Sequence, residues 1–357
     1  MDPATVTHPP ALTDIAARVD GRIAGLLDAE VRRWSAVDPE LAAPLGTLRG
    51  LVLAGGKRLR PAFCYWAFVG SGGSPSDPAV LDAGAALELL HAFALIHDDV
   101  MDRSPMRHGV EAVHVEHRER HRAGAWRGDP DRYGDGIGIL VGDLAFVYSD
   151  RLLSGSPPAA RAVYDELRTE VTLGQYLDLL GTARRSASPE LARRICRYKS
   201  GRYTVERPLH LGAALAGPAE LAAAEGALSA YGAPLGEAFQ LKDDLLGAFG
   251  DCAVTGKPVA EDLRDGKPTL LYALARAAAT GADLRLLEQR FGSPDLRDSE
   301  VAALQEVLER TGARAAVAAT VQRLVAEALD AVGGLPLTSE ACSALAELAL
   351  FVSGRDH

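Results

Sequence analysis

The sequence is poor in cysteine, and the cysteines it has are far apart. Only 4 occur among 357 residues. No Cys-x-x-Cys pair is present, so the sequence indicates neither a zinc knuckle nor a redox pair. We therefore expect free thiols in a reducing cytoplasm. The residues concerned are Cys64, Cys196, Cys252 and Cys342.

Long uninterrupted apolar runs are also missing. The most apolar stretch, AVLDAGAALELLHAFALI, contains Asp82, Glu88 and His91. A transmembrane helix needs about 20 predominantly apolar residues, so we expect no membrane span. The N-terminus has neither a basic region nor an apolar core, so nothing in it resembles a signal peptide. These patterns predict a cytoplasmic protein.

An excess of positive charge is absent too. The formal net charge is -10 at pH 7, which argues against nucleic acid as the main partner. An anionic ligand must then be met by a local basic cluster or by metal ions.

Strand-like alternation of β-branched residues is missing, and segments rich in alanine and leucine dominate instead. No internal repeat or clear linker divides the chain. We predict a disordered segment at 1–10 and one all-α domain at 11–357. The polar segment 116–136 is expected to include a mobile loop near the site. Predicted helices include 77–98, 159–181, 219–249 (one helix, or two joined at Pro234), 299–312 and 313–334.

What the sequence does contain is a dense group of acids in HDDVMDRSPMRHG, directly after an apolar helix. Asp98 and Asp102 are one helical turn apart and share a face, with Asp99 beside them. This DDxxD pattern gathers carboxylate oxygens that suit Mg²⁺, which takes few protein carboxylates together with waters and phosphates. The alternative is a solvated acidic helix end.

A second acidic pair weakens that alternative. Asp243 and Asp244 also end an apolar helix, which favours two walls of one cavity. Gly247 stands where a third aspartate would complete the DDxxD pattern. Asp251 lies about 10 Å beyond Asp244 along a helix, too far to share one ion with Asp243.

Basic residues accompany both acidic groups. GGKRLRP supplies Lys57, Arg58 and Arg60 after paired glycines. It is not a phosphate-binding P-loop, because the required first glycine and Ser/Thr are missing. Guanidinium groups on an open backbone still favour an anion site. Further basic residues near the acids are Arg107, Lys199, Arg202, Lys257 and Lys267.

In order and spacing, seven blocks of the chain resemble the trans-isoprenyl diphosphate synthases, the polyprenyl synthetase family that includes farnesyl and geranylgeranyl diphosphate synthases. The resemblance implies a single-domain orthogonal helix bundle around a central cavity, usually in a homodimer. It implies condensation of isopentenyl diphosphate with an allylic diphosphate. The blocks are GGKRLRP, LLHAFALIHDDVMDRSPMRHG, GDLAF, GQYLDL, YKSGRYT, FQLKDDLLGAFGD and GKPVAEDLRDGKPTLL.

The resemblance also implies a cofactor and the residues that hold it. The cofactor is Mg²⁺, three ions when substrate is bound, with Mn²⁺ as an alternative. The implied metal-binding residues are Asp98, Asp99, Asp102, Asp243 and Asp244. The residues implied in catalysis are Asp98, Asp102, Arg107, Lys199, Gln240, Asp243 and Lys257.

Substrate contacts follow from the same resemblance. Arg107, Lys199 and Lys257 would bind the allylic diphosphate, and Lys57, Arg60 and His91 would bind isopentenyl diphosphate. Residues implied to line the reaction centre or contact substrate are Gln175, Asp178, Ser200, Gln240 and Lys267. His108 stands where the family shows a second arginine, and it could bind isopentenyl diphosphate when protonated or as a neutral donor.

Product length is implied by the two residues one turn before the first acidic group. Phe93 is bulky and Ala94 is small. An aromatic residue followed by a small one is similar to geranylgeranyl-type synthases, whereas aromatics at both positions would suggest farnesyl. Alternatively, Phe93 only packs in the core and deeper residues set the length.

Other functions remain open from the sequence. The chain could be a synthase of another chain length, a terpene cyclase on the same fold, or a non-catalytic subunit. The HDD triplet could mark a metal phosphohydrolase. His114, His117 and His121 share one helical face and could hold zinc, although the arginines between them favour a solvated face.

Overall fold

The computed structural model describes residues 9–107, 109–250, 260–293 and 295–354, and most of them lie in helices. The prediction of an all-α fold is confirmed. The helices are α1 (Pro10–Ser35), α2 (Ala42–Leu53), α3 (Leu59–Gly70), α4 (Pro78–Asp102), α5 (Val113–Ala123), α6 (Pro130–Leu152), α7 (Pro158–Ala183), α8 (Pro189–Ile195), α9 (Arg207–Ala216), α10 (Pro218–Phe249), α11 (Glu261–Asp265), α12 (Leu270–Ala278), α13 (Gly281–Arg290), α14 (Asp298–Arg310), α15 (Ala313–Val332) and α16 (Ser339–Ser353).

Four short elements complete the described fold. A 3-10 helix at Pro39–Leu41 leads into α2, and a π-helix at Cys196–Glu206 joins α8 to α9. Two strands, β1 (Met106–Arg107) and β2 (Val110–Glu111), pair in antiparallel fashion just after α4. We call Cys196–Glu206 the π segment.

Helix starts follow the capping signals in the sequence. The Asp77 carboxylate accepts a hydrogen bond from the Ala79 N–H at 2.9 Å, and a proline opens α4. The predicted helix at 77–98 thus begins as expected, but it runs on to Asp102. Asp98 and Asp102 are therefore held on one face of a regular helix.

The polar segment 116–136 is mostly helical, and the loop predicted within it is confined to 124–129. Helices α5 and α6 occupy this segment, and only 124–129 connects them. The outer face of α5 is polar, but its inner face is buried and includes Val113, Val115 and His117. Packing of that face overrides the polar composition.

The long helix α10 is continuous across Pro234. The sequence left open whether this proline separates two helices, because proline removes a backbone donor and crowds the preceding turn. One helix therefore carries the buried Leu228 and Leu235 as well as the acidic pair near its C-terminal end.

Helix α4 lies in the core. It packs against α6, α3 and α1, and Leu87, Leu89, Leu90 and Ile96 are fully buried. Burying each such side chain stabilises the fold by about 1.5–3 kcal/mol. This packing fixes the end of the helix on which Asp98 and Asp102 lie.

Within the described residues, α4 is also the one helix long and apolar enough to cross a membrane, judged by length and composition alone. Of its most apolar window, 61% is buried inside the fold. Its charged residues have partners there: Arg22 contacts Asp82 at 2.5 Å, and Arg58 contacts Glu88 at 2.7 Å. These pairings are typical of a core helix.

Two further predictions concern the termini and the thiols. Residues 1–8 of the predicted disordered segment lie outside the described residues, and Pro10 already begins α1. Cys64, Cys196 and Cys342 are free, as predicted. Cys252 lies outside the described residues.

Candidate active site

One cavity of about 850 Å³ lies between the C-terminal ends of α4 and α10. The middle of α7, the π segment, α11 and residues 55–60 also contribute to its walls. Lys257 and His108, two of the predicted substrate contacts, lie outside the described residues. Predicted site residues that line the cavity are Lys57, Arg60, His91, Phe93, Ala94, Asp98, Asp102, Arg107, Gln175, Asp178, Lys199, Ser200, Gln240, Asp243, Asp244 and Lys267.

The first acidic wall is the last turn of α4. The Gln175 side-chain amide donates to an oxygen of Asp98 at 2.7 Å, and the Lys199 ammonium donates to the same oxygen at 3.0 Å. Lys267 donates to Asp102. Two carboxylates on one helix face are thus surrounded by cationic and amide donors from three other parts of the chain.

The two carboxylates titrate differently. Burial alone would raise the pKa of Asp98, but the charges of Lys199, Lys267 and Arg107 outweigh it and hold the pKa below its usual range. Burial, together with the charge of Asp98, raises the pKa of Asp102 in spite of Lys267. A divalent cation bound here would favour the ionised form of both groups.

Asp99 points elsewhere. Its side chain is buried, and the Arg107 Nε donates to its two oxygens at 2.9 and 3.2 Å. Arg107 lies on β1, and its guanidinium lies 4.0 Å from Asp98. Asp99 therefore holds Arg107 and does not line the cavity with Asp98 and Asp102, which departs from the predicted set of metal ligands.

Asp178 connects the two lysines. This buried residue of α7 accepts hydrogen bonds from Lys199 at 2.6 Å and from Lys267 at 3.4 Å. Burial would lower the pKa values of both lysines, but the surrounding aspartates raise them above the usual value. Both side chains stay charged and are suited to bind anionic oxygens.

The π segment carries Lys199 and Ser200 into the cavity. A π-helix is a wider turn that often occurs at functional sites. Two glycines clamp the segment between α7 and α10. A Cβ on Gly174 would lie 2.3 Å from the Lys199 backbone nitrogen, and one on Gly236 would lie 2.4 Å from the Gly201 carbonyl oxygen. Only residues without side chains allow this approach.

The second acidic wall ends α10. The Gln240 side-chain amide donates to Asp244 at 2.7 Å. Burial, followed by the charge of Asp262, raises the pKa of Asp244 well above its usual range. Asp262 of α11 lines the cavity beside Asp243 and Asp244. Sequence reasoning missed Asp262, although it lies within the block GKPVAEDLRDGKPTLL.

The basic end of the cavity is formed by 55–60 and by side chains that face it. The Arg60 guanidinium donates to Thr204 Oγ1 at 3.0 Å and stacks 4.2 Å above the Tyr203 ring. The Tyr203 hydroxyl contacts the ring nitrogen Nδ1 of His91. Lys57 lines the same part of the cavity.

Arg58 also lines this end of the cavity, but its guanidinium is held by other groups. Its guanidinium is buried and bonds Asp20 and Glu88, each at 2.7 Å, and the Val52 carbonyl at 2.6 Å. These bonds occupy the guanidinium that the sequence predicted for the anion site. Its ion pairs instead fix the backbone that presents Lys57 and Arg60.

Comparison with known proteins agrees with this geometry. The family model for polyprenyl synthetase matches residues 45–309. The chain belongs to the polyprenyl synthetase family. It is therefore a prenyltransferase, which excludes the phosphohydrolase alternative.

Similar proteins cover most of this polyprenyl synthetase. A short chain isoprenyl diphosphate synthase from Methanothermobacter thermautotrophicus is 33% identical over 317 residues, covering 86% of this chain and 89% of that protein. A (2E,6E)-farnesyl diphosphate synthase from Mycobacterium tuberculosis is 32% identical over 308 residues, covering 84% and 80%. Other similar proteins are named geranylgeranyl and nonaprenyl diphosphate synthases.

Solved structures agree on the fold. A geranylgeranyl pyrophosphate synthase from Corynebacterium glutamicum, complexed with isoprenyl diphosphate and magnesium, superposes with a TM-score of 0.90 at 36% identity. The match covers 96% of this chain and 99% of that one. The predicted single-domain helix bundle of the isoprenoid synthase type is thereby confirmed.

The donor set of this polyprenyl synthetase suits Mg²⁺. Among the residues that the structure describes, no group of three or more acidic, histidine or cysteine side chains is close enough to hold an ion alone. Mg²⁺ takes few protein carboxylates and completes its shell with waters and phosphates. Carboxylate pairs that face lysines across a cavity fit such shared binding.

The zinc alternative for the α5 histidines is wrong by the same observation. All three are buried, and the rings of two of them bond different neighbours. The His117 Nε2 lies 3.1 Å from Thr47 Oγ1, and the His121 Nε2 lies 3.1 Å from the Arg127 carbonyl oxygen. These histidines are part of the packing between α5, α2 and α6.

Proposed function

We propose that this polyprenyl synthetase uses Mg²⁺ to condense isopentenyl diphosphate with an allylic diphosphate, and that its main product is geranylgeranyl diphosphate. One observation carries the proposal. Asp98 and Asp102 of α4 and Asp243 and Asp244 of α10 line one cavity, together with charged lysines. The similar Corynebacterium glutamicum synthase, whose crystal structure is a complex with isoprenyl diphosphate and magnesium, supports it.

In this proposal, Asp98, Asp102 and Asp243 would hold the ions. Asp244 would not contact an ion and would help to position Asp243. Bound Mg²⁺ supplies positive charge next to the leaving diphosphate. Lys199, Lys267 and Arg107 donate hydrogen bonds to oxygens of this leaving diphosphate. Their charge stabilises the negative charge that develops as the allylic C–O bond breaks. We also assign Lys257, outside the described residues, to this group.

The second half of the reaction depends on position. Lys57, Arg60 and His91 bind isopentenyl diphosphate at the basic end, so that its double bond lies about 3–3.5 Å from the allylic carbon. Apolar walls keep water away from the allylic cation. The released diphosphate takes the proton that leaves the new C–C product, so no protein base is required.

The function is tested by following carbon from one substrate. The enzyme is incubated with Mg²⁺, radiolabelled isopentenyl diphosphate and dimethylallyl, geranyl or farnesyl diphosphate in turn, and the products are sized by chromatography. Labelled C₂₀ diphosphate is the expected result. A terpene cyclase, the alternative function, would consume a long diphosphate without incorporating label, and a non-catalytic subunit would do neither.

Product length is expected to depend on Phe93 and Ala94, which both line the cavity one turn before Asp98. The Phe93 ring is fixed between His97 and Phe146, with ring centroids 4.6 and 4.9 Å away. Held by these two rings, Phe93 would sterically limit how far the growing product chain can extend. Ala94→Phe should shorten the main product by one C₅ unit, and Phe93→Ala should lengthen it by at least one.

Chromatographic sizing of the products of both variants and of the wild-type enzyme measures this effect. Leu95, the next residue of α4, also lines the cavity, so Leu95→Met serves as a control for a small change of shape. Unaltered product lengths in both Phe93→Ala and Ala94→Phe would remove this helix face from the control of length.

We also propose a homodimer. Large apolar side chains are exposed in a stripe along α6 and α7, and exposed patches of this kind mark interaction surfaces. The same stripe on a second copy would cover it by two-fold symmetry. The stripe consists of Ile139, Leu140, Val147, Leu173 and Tyr176, which are 46–61% exposed.

Sedimentation analysis tests the dimer. We expect twice the mass of the chain for the wild-type enzyme and a shift to monomer, by at least about tenfold in dissociation constant, for Val147→Glu, because an unpaired charge would be buried. Val37→Glu is the matched control, since Val37 is 71% exposed and lies outside the stripe. A monomeric wild-type enzyme would contradict the proposal.

A further inference from the structure

The two acidic walls differ at one position. In α4 the turn after Asp98 ends with Asp102, whereas in α10 the corresponding turn after Asp243 ends with Gly247. Residues four apart on a helix share a face. The first wall thus has two carboxylates one turn apart, and α10 alone provides just one on that face.

The space next to Gly247 is filled by another carboxylate. A Cβ on Gly247 would lie 2.0 Å from Oδ2 of Asp262 and 2.6 Å from its Cγ. These distances are far shorter than any van der Waals contact, so the carboxyl group of Asp262 occupies the position into which a side chain at 247 would project. The absence of a side chain at 247 is what admits it.

Asp262 reaches this position from α11, which packs against α10. Its side chain lines the cavity with Asp243 and Asp244. The Lys267 backbone nitrogen donates to the Asp262 carbonyl oxygen at 3.0 Å, which ties the residue to the segment that carries the cavity lysine. Asp262 is therefore part of the second wall in space, although it is distant from it in sequence.

We propose that Asp262 supplies the third carboxylate of the second acidic wall, in the place that residue 247 leaves open. It deepens the proposed function, on which it rests: Asp262 and Asp243 together would attract a divalent cation bound to a diphosphate. Gly247 is then required for a reason beyond backbone geometry. A side chain there would displace the Asp262 carboxylate, and an aspartate would also add a like charge beside it.

Three single variants test the proposal, with binding of Mn²⁺ in the presence of inorganic pyrophosphate, followed by electron paramagnetic resonance, as the main readout. Asp262→Asn keeps the shape and removes the charge, and we expect affinity to fall about 10-fold or more. Gly247→Ala should lower affinity in the same direction by pushing Asp262 away. Gly226→Ala is the matched control on the same helix, because a Cβ there meets nothing within 4 Å.

A double variant tests whether the carboxylate can be moved back. Gly247→Asp alone should weaken Mn²⁺ binding, whereas Gly247→Asp combined with Asp262→Ala should bind Mn²⁺ more tightly than Asp262→Ala alone. The Mg²⁺ concentration that gives half-maximal turnover should follow the same order. Thermal unfolding of each variant verifies the fold, and Asp262→Asn decides the matter if Asp262→Ala does not fold.

The outcomes separate this inference from the proposed function. If the wild-type enzyme makes prenyl diphosphates and binds Mn²⁺ with pyrophosphate, but Asp262→Asn binds Mn²⁺ equally well, the inference is overturned and the proposed function stands. No gain in the double variant over Asp262→Ala also overturns it. A wild-type enzyme that incorporates no isopentenyl diphosphate contradicts the proposed function itself.

Discussion

Replacing Asp98 by alanine is expected to lower turnover by at least about 10³-fold, because the leaving diphosphate loses part of the charge that stabilises it. The fold should be almost unaffected. Asp98 lies at the cavity surface, and its partner Lys199 keeps a hydrogen bond of 2.6 Å to Asp178. Asp243→Ala, on the opposite wall, should have a similar effect on turnover.

Steady-state kinetics with saturating Mg²⁺ and both substrates measure the loss, and the thermal midpoint reports on the fold. Asp14→Ala is a suitable control, since Asp14 is a surface residue paired only loosely, at 3.4 Å, with Arg18. Near-normal turnover for either Asp98→Ala or Asp243→Ala would mean that the two acidic walls do not form one metal-dependent site.

Much of the fold and the broad location of the site could be predicted from the sequence. Capping aspartates, prolines at helix starts and long alanine- and leucine-rich segments are local signals, and they gave α4, α7 and α10 almost complete. The two acidic pairs each ended an apolar helix, so a cavity between helix ends followed directly. The structure confirms the helices and brings both acidic pairs to one cavity.

The features that could not be predicted depend on contacts between distant segments. Helical periodicity separates Asp99 from Asp98 by about 100°. Only the position of Arg107 on β1, which donates to Asp99, shows that Asp99 points away from the cavity. The π segment has no periodic sequence signal, and its conformation depends on close contacts at Gly174 and Gly236. Asp262 meets the space at Gly247 only after α11 packs on α10.

Replacing Asp99 by alanine is expected to act mainly on stability, in contrast to its neighbour Asp98. Asp99 and Arg107 are 2% and 5% exposed, and their ion pair is bonded through two nitrogens of the guanidinium. Removing one partner of a buried pair leaves an uncompensated charge, which costs about 3 kcal/mol. Asp98, 4.0 Å from the guanidinium, is too distant to replace the lost bonds.

Urea unfolding of Asp98→Ala, Asp99→Ala and the double variant Asp99→Ala/Arg107→Met distinguishes the two aspartates. The double variant should regain most of the lost stability, because an apolar pair replaces the buried charge. Unlike Asp99→Ala, it should lose turnover, because Arg107 also faces the cavity. The opposite pattern, in which Asp99→Ala unfolds like the wild-type enzyme but loses turnover as Asp98→Ala does, would return Asp99 to the metal ligands that the sequence predicted. The orientation of one carboxylate thus decides whether the DDxxD pattern contributes two ligands or three.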